Sequence, residues 1–243
     1  MITKVIFNWS SGKDSALALY KILQDPSIEI TTLLTSVSQQ YNRISMHGVR
    51  VELLEAQAKS LGLPLHKMEI PEMPTMESYE QIMRETLLEF KAQGVTHSVF
   101  GDIFLEDLRQ YRETKLAEMG FQGIFPLWKR ETKALLQEFL SLGFKTIVTC
   151  VHERYLDKRF VGRIIDAQFI ADLPEDVDVC GENGEFHTFT FDGPLFSQPI
   201  GFEIGEIVYR KYEKPKETVT NTACDTAESA FDYGFWYCDL IPK

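Results

Sequence analysis

The sequence predicts an α/β protein, a parallel sheet with helices on both faces followed by a smaller α+β domain. Through about the first 150 residues, short β-branched or apolar runs alternate with amphipathic helical patterns, as strands joined by crossover helices do. A serine-rich turn around Gly12 follows the first run and leads straight into a helix pattern, as at the carboxyl edge of an open parallel sheet. After about His152 the texture shifts to strand candidates punctuated by Gly and Pro. The expected division is therefore residues 1–152 and 153–243.

Strands are expected at Lys4 to Asn8, Ile28 to Val37, Leu65 to Ile70, His97 to Gly101 and Lys145 to Val151, each short, apolar or β-branched and bounded by turn residues or a helix. Between them Ala16, Leu19, Tyr20 and Leu23 recur at helical spacing, as do Val51, Leu54, Ala58 and Leu61, and then Tyr79, Ile82, Met83, Leu87 and Phe90. Two more helices are expected, from Leu105 to Met119 and from Thr132 to Leu142, each stopped by a following glycine. In the second part a helix near Gly162 to Ala171 precedes strands at His187 to Phe191, Phe202 to Tyr209 and Phe235 to Leu240. Lys211 to Glu228 is polar and Thr-rich and reads as a solvated connector.

The formal charge of −11 disfavours a polyanionic partner, since nonspecific nucleic-acid affinity comes mainly from cations on phosphates. No apolar run is long enough to span a bilayer and the start lacks a signal-peptide core, so no membrane association and a cytoplasmic location are expected. Cys150, Cys180, Cys224 and Cys238 form no CxxC pair and read as thiols filling apolar space in a reducing compartment. A homo-oligomer is compatible with all of this.

The stretch Trp9-Ser10-Ser11-Gly12-Lys13-Asp14-Ser15 carries the most chemistry. Such a turn at a helix start points several backbone N–H groups and the positive end of the helix dipole at one spot, an anion site for which phosphate is the natural occupant. Gly12 allows close backbone approach, Ser10, Ser11 and Ser15 add hydroxyls, Lys13 adds charge, and Asp14 either holds a magnesium ion or caps the helix. It is not a Walker loop, because Gly12-Lys13 is followed by Asp14 and Phe7 stands where that motif needs glycine. A second constellation, Cys180-Gly181-Glu182-Asn183-Gly184-Glu185-Phe186-His187-Thr188, sets two carboxylates three apart among glycines, able to grip a cation or polarise a nucleophile.

Ser10-Ser11-Gly12-Lys13-Asp14-Ser15 resembles the SGGxDS signature of PP-loop ATP pyrophosphatases, members of the adenine nucleotide alpha hydrolase-like superfamily. Ser11 stands where that signature has its first glycine, which is tolerable at negative φ and strained in the left-handed region. Residues 180–188, with Asp192-Gly193-Pro194-Leu195-Phe196, are similar to the GEGGEFET and DxPLF patterns of the diphthine-ammonia ligase family, a PP-loop group, with Asn183 for Gly and His187 for Glu. Leu61 to Leu65, Arg109 with Arg112 and Glu113, Pro126-Leu127-Trp128 and Gly162 to Asp166 extend the likeness in the family's order.

The resemblance implies a Rossmann-like nucleotide-binding PP-loop domain and a smaller acceptor-binding domain. It implies a reaction in which a carboxylate attacks the α-phosphorus of ATP, pyrophosphate leaves, and ammonia displaces AMP from the acyl-adenylate to form an amide. ATP and Mg²⁺ are the implied cofactors, and protein-bound diphthine is the implied acceptor. Ser10, Ser11, Gly12, Lys13, Asp14, Ser15 and Ser36 are then assigned to ATP, with Asp14 also the metal ligand. Lys13, Asp14, Glu182 and Glu185 are assigned to catalysis. Arg109, Arg112, Gly181, Glu182, Gly184, Glu185, His187 and Thr188 are assigned to the acceptor side. A PP-loop pyrophosphatase with another acceptor and an ATP sensor without turnover are the alternatives. His47, His66 and His97 lack ligand spacing and read as surface or core histidines, Phe7, Trp9 and Phe104 as core, Trp128 as an interface plug, and His152, at the end of the expected fifth strand, as the histidine best placed for a cleft.

Overall fold

The computed structural model describes residues 2–71, 75–212 and 233–243. In the first sheet, β1 (Thr3–Asn8) lies between β2 (Ile28–Ser38) and β5 (His97–Val99), parallel to both. β4 (Leu65–Ile70) runs parallel to β2, β6 (Gln122–Ile124) parallel to β5, and the short β3 (Arg43–Ile44) antiparallel to the end of β2. The chain thus leaves β1 toward β2 and later returns on its other side, and that reversal opens a crevice at the carboxyl ends of the strands.

β1 is buried on both faces, which is why it reads as an unbroken apolar run. Val5 and Phe7 belong to one core with α1 (Lys13–Ile22), α2 (Val51–Leu61) and α5 (Thr132–Ser141). Ile6 belongs to the opposite core with α3 (Met76–Ala92) and α4 (Glu106–Glu118). Local signals set the helix ends. Gly62 closes α2 at φ 67°, Thr75 caps α3 by accepting from Ser78 N, and Glu131 caps α5 by accepting from Lys133 N and Ala134 N.

The remaining strands form an antiparallel sheet in the order β8 (Phe186–Asp192), β7 (Lys145–His152), β10 (Tyr233–Pro242), β9 (Phe202–Tyr212). The run expected to be the fifth parallel strand is therefore β7, inside the antiparallel sheet. Its composition suits either sheet, since it is buried along nearly its whole length, and only long-range pairing distinguishes them. The short strands β3 and β6 were not expected. The helix expected from Gly162 shortens to α6 (Ala167–Asp172), because Gly162 sits at φ 80°, Ile164 bridges Ile147, and Asp166 accepts from Phe169 N as the cap. The expected connector starts later than Lys211, which with Tyr212 completes β9, and the rest of it lies outside the described residues. Cys150, Cys180 and Cys238 are buried free thiols.

Candidate functional site

The turn at residues 10–15 lies at the carboxyl end of β1, and the edge of β8 holds it in place. Thr190 N donates to Ser11 O at 2.9 Å, and Lys13 N donates to Thr188 Oγ1 at 3.0 Å. Gln57 of α2, fully buried, donates from Nε2 to Ser11 O at 3.2 Å and to Thr190 O at 2.6 Å while accepting from Trp9 Nε1 at 2.9 Å. One side chain thus ties the first sheet, the loop and the second sheet together. The approach is close enough that a Cβ on Gly12 would meet Thr188 O and His47 Cε1 at 3.1 Å, and one on Gly101 would meet Asp14 C and Ser15 N at 3.1 Å.

Ser11 adopts φ 71°, the left-handed conformation in which a serine at the signature's glycine position is strained. Its hydroxyl is buried and has no hydrogen-bond partner among the described residues.

Lys13 is buried. Its ammonium pairs with Asp14 Oδ2 at 2.7 Å, donates to Cys180 O and lies 5.4 Å from the Phe186 ring centroid. Burial alone would lower its pKa, but Asp14 and the dipolar and acidic groups around it carry it above its ordinary value. Burial raises the Asp14 carboxyl, and Lys13 partly offsets the rise.

Across from the loop, Asp178 Oδ2 accepts from Cys180 N and Glu182 N, both at 3.1 Å, and so shapes the turn that presents Glu182. Glu182 Oε1 accepts from Ile103 N at 2.7 Å. Burial lifts its pKa to about 7, with Asp14 and Asp102 adding to the rise. Gly181, at φ 69°, admits no Cβ, which would meet Phe186 O at 2.8 Å.

These elements enclose a cavity of about 460 Å³. Of the residues assigned from sequence, Ser10, Gly12, Lys13, Asp14, Ser15, Ser36, Arg112, Gly181, Glu182, Gly184, His187 and Thr188 line it. Ser11 lies beneath the lining. Glu185 and Arg109 do not reach the cavity. Glu185 is 1% exposed, and its Oε1 accepts from Asp178 N at 3.0 Å and Asn183 Nδ2 at 2.9 Å, so the carboxylate holds the turn from behind. Asn183 is thereby explained as a donor to Glu185. Arg109 turns outward, pairing with Glu113 at 2.8 Å and lying over Phe125 and Trp128, which makes Trp128 a platform for that arginine. His152 lies outside the cavity, its Nδ1 accepting from Arg154 N. Phe104, expected in the core, is 36% exposed on a loop beside it.

His47, read from sequence as bland, lines the cavity. Its ring lies 4.6 Å from that of His187, inclined at 34°. His47 Nδ1 donates to Thr188 O at 3.1 Å, which leaves the lone pair on Nε2. Burial lowers the pKa of His47 to about 4 and that of His187 well below its ordinary value, the latter aided by His47 and Lys13. Both rings are neutral near neutral pH. No periodicity marks His47 or Gln57, because their partners stand 141 and 133 positions away in sequence.

No helix among the described residues is long and apolar enough to cross a membrane. Fold and site define an α/β protein with a serine- and glycine-containing turn at the reversal point of a parallel sheet, faced by a second sheet that completes the cleft.

The family model for the diphthamide synthase N-terminal domain matches residues 3–123, and that for the C-terminal domain matches residues 131–218. The chain belongs to the diphthamide synthase family. It is similar to diphthine--ammonia ligase of Danio rerio, 30% identical over 169 residues that cover 62% of this chain and 65% of that protein, a little under two thirds of its length. The Bos taurus protein of the same name is 27% identical over 186 residues, covering 70% of this chain and 68% of its own length. Against the predicted subunit of tRNA methyltransferase from Methanocaldococcus jannaschii, the TM-score is 0.40 at 18% identity, covering 78% of this chain and 96% of that one, too low to bear on fold or function.

Proposed function

We propose that the protein is an ATP-dependent ammonia ligase that adenylates a carboxylate and converts it to an amide, with AMP and pyrophosphate as the other products. The observation that carries the proposal is that one cavity is lined both by the turn at residues 10–15 and by Gly181, Glu182, Gly184, His187 and Thr188, which supports reading the turn as the phosphate site and Glu182 as the acid facing it. The family and the name of its curated relatives support the choice of ammonia as the nucleophile and of a protein-bound diphthine as the carboxylate.

In this reading the turn's N–H groups, Ser10, Ser15 and the Lys13 ammonium hold the phosphates. They neutralise charge that grows on pyrophosphate as the carboxylate oxygen bonds to the α-phosphorus and the bond to the β-phosphate oxygen breaks. Ser36, near the end of β2, lines the cavity and would meet the adenine. Among the described residues no three His, Cys, Asp or Glu side chains converge on one point. That suits Mg²⁺, which commonly takes one or two carboxylates and completes its shell with phosphates and water. Asp14 would hold it, and the ion would supply charge neutralisation at the phosphates. Glu182 takes a proton from the nitrogen as ammonia attacks the acyl carbon and AMP leaves, a role suited to a carboxylate of pKa about 7. Gly181, Gly184, His187 and Thr188 shape the acceptor end, and the buried Glu185 positions that turn without touching substrate.

The test is incubation with ATP, Mg²⁺ and ammonium, with and without diphthine-bearing protein, followed by product analysis. AMP and pyrophosphate that depend on the acceptor are expected. ADP as the sole nucleotide product would overturn the mechanism, and nucleotide binding without turnover across a range of acceptors would favour a sensor.

A further inference from the structure

A second cavity, of about 210 Å³, lies between α3 and α4 on the face of the parallel sheet away from α1. It exists because the two helices bury little of themselves. Of seventeen residues in α3 only Thr86, Leu87 and Phe90 are buried, and of thirteen in α4 only Leu116 is. Apolar side chains form its wall, among them Met83, Leu87, Leu116 and Met119. Methionine is the most adaptable of these linings. Glu80 ties the helices together over the cavity, accepting from Tyr111 Oη at 3.1 Å and from Lys115 Nζ at 2.8 Å.

This cavity meets the main one along a shared boundary of Asn8, Tyr79, Met83, Phe100 and Arg112. Arg112 is the only formally charged side chain of the five. Its guanidinium lies 4.5 Å from the Phe100 ring centroid, and its Nε pairs with Asp102 Oδ2 at 2.7 Å. A guanidinium carries five N–H donors in a fork, so pairing one edge with Asp102 leaves donors for a second anion. The acidic side chains of the wall, Glu77, Glu80 and Glu118, are not among the boundary residues, and Glu80 and Glu118 pair with Lys115 at 2.8 and 4.0 Å. Arg84 and Glu77, which also line the cavity, have no ion-pair partner among the described residues and offset one another, so Arg112 sets the charge at the boundary.

We infer that the cavity between α3 and α4 binds a small free carboxylic acid with an apolar body, the body among Met83, Leu87, Leu116 and Met119 and the carboxylate on Arg112. The inference requires no turnover, although the cavity shares Arg112 and Met83 with the wall of the main one.

Isothermal titration of the full chain with sodium hexanoate tests it, with hexylammonium and tetramethylammonium as cationic controls and Mg·ATP titrated in parallel. Hexanoate binding is expected in the wild type, with neither cation binding. Arg112→Met is expected to weaken hexanoate about tenfold or more, the loss of a charge-assisted bond. Met83→Trp, which fills the space, is expected to abolish it. An unchanged circular dichroism spectrum reports that each variant is folded, since Arg112 and Met83 also line the main cavity, and Leu116→Phe, at a residue that lines the second cavity only, serves as a second filling variant should Met83→Trp fail to fold. Absence of hexanoate binding to a wild-type protein that binds Mg·ATP would overturn the inference and leave the ligase reading intact. So would binding of either cation in its place, or hexanoate binding unchanged in both filling variants. Failure of Mg·ATP alone to bind the wild type would count against the ligase reading and not against this one.

Discussion

Replacing Gln57 by Leu keeps the side-chain volume while deleting the three hydrogen bonds by which α2 reaches Trp9, the turn and β8. The indole N–H of Trp9, 1% exposed, loses its acceptor and becomes a buried orphan, at a cost of about 1 to 3 kcal/mol. The carbonyls of Ser11 and Thr190 each lose one donor, about 0.5 to 1.5 kcal/mol apiece, although Ser11 O keeps the bond from Thr190 N. A destabilisation of about 3 kcal/mol results, equivalent to a fall in Tm of about 6 to 12 °C for a chain of this size. Urea denaturation of Gln57→Leu, Trp9→Phe and the double variant measures it. Because Trp9→Phe removes the orphaned donor, the double variant should cost less than the sum of the singles by about 1 kcal/mol or more. A loss below about 1 kcal/mol for Gln57→Leu, or strict additivity in the cycle, would refute the reasoning that this glutamine holds the turn against the second sheet.

Ser11→Gly relieves a left-handed serine and removes a buried, unpartnered hydroxyl. These gains outweigh glycine's extra unfolded-state entropy, so a net gain of about 1 kcal/mol in urea is expected, and a loss of stability would contradict it. His47 has a folded pKa of about 4 against 6.5 unfolded. The unfolded chain therefore binds more protons between those values, and the stability present above pH 6.5 is lost as pH falls toward 4. At pH 5 this amounts to about 2 kcal/mol, and His47→Asn should show that much less acid sensitivity in parallel pH-dependent melts. Glu182 runs the opposite way. Its pKa is raised by burial, so stability present below pH 4.5 is lost as pH rises through about 7. Glu182→Gln should then gain on the wild type by about 2 kcal/mol between pH 5 and pH 8, while slowing amide formation, and a constant difference across that range would be the wrong outcome. Lys13→Ala and Asp14→Ala should each abolish AMP formation with the circular dichroism spectrum unchanged. Undiminished turnover in both would remove residues 10–15 from the chemistry.

Sequence alone determined whatever depends on neighbours along the chain. The stripe from Tyr79 to Phe90 makes α3 because its spacing matches the helical repeat, and Ile28 to Ser38 makes a strand because β-branched residues suit a pleated, buried surface. The turn at residues 10–15 could be located because a serine- and glycine-containing turn at a helix start is itself a local pattern. Tertiary structure alone decided which sheet receives Lys145–His152, since a strand buried on both faces carries the same composition in either. It turned Glu185 inward and left Glu182 in the cavity, although the two carboxylates are equivalent in a motif three residues apart. It also brought His47, Gln57 and Arg112 to the cleft or its support. Such contacts form only when distant segments close on one another, and no pattern of nearby residues records where that closure will bring them.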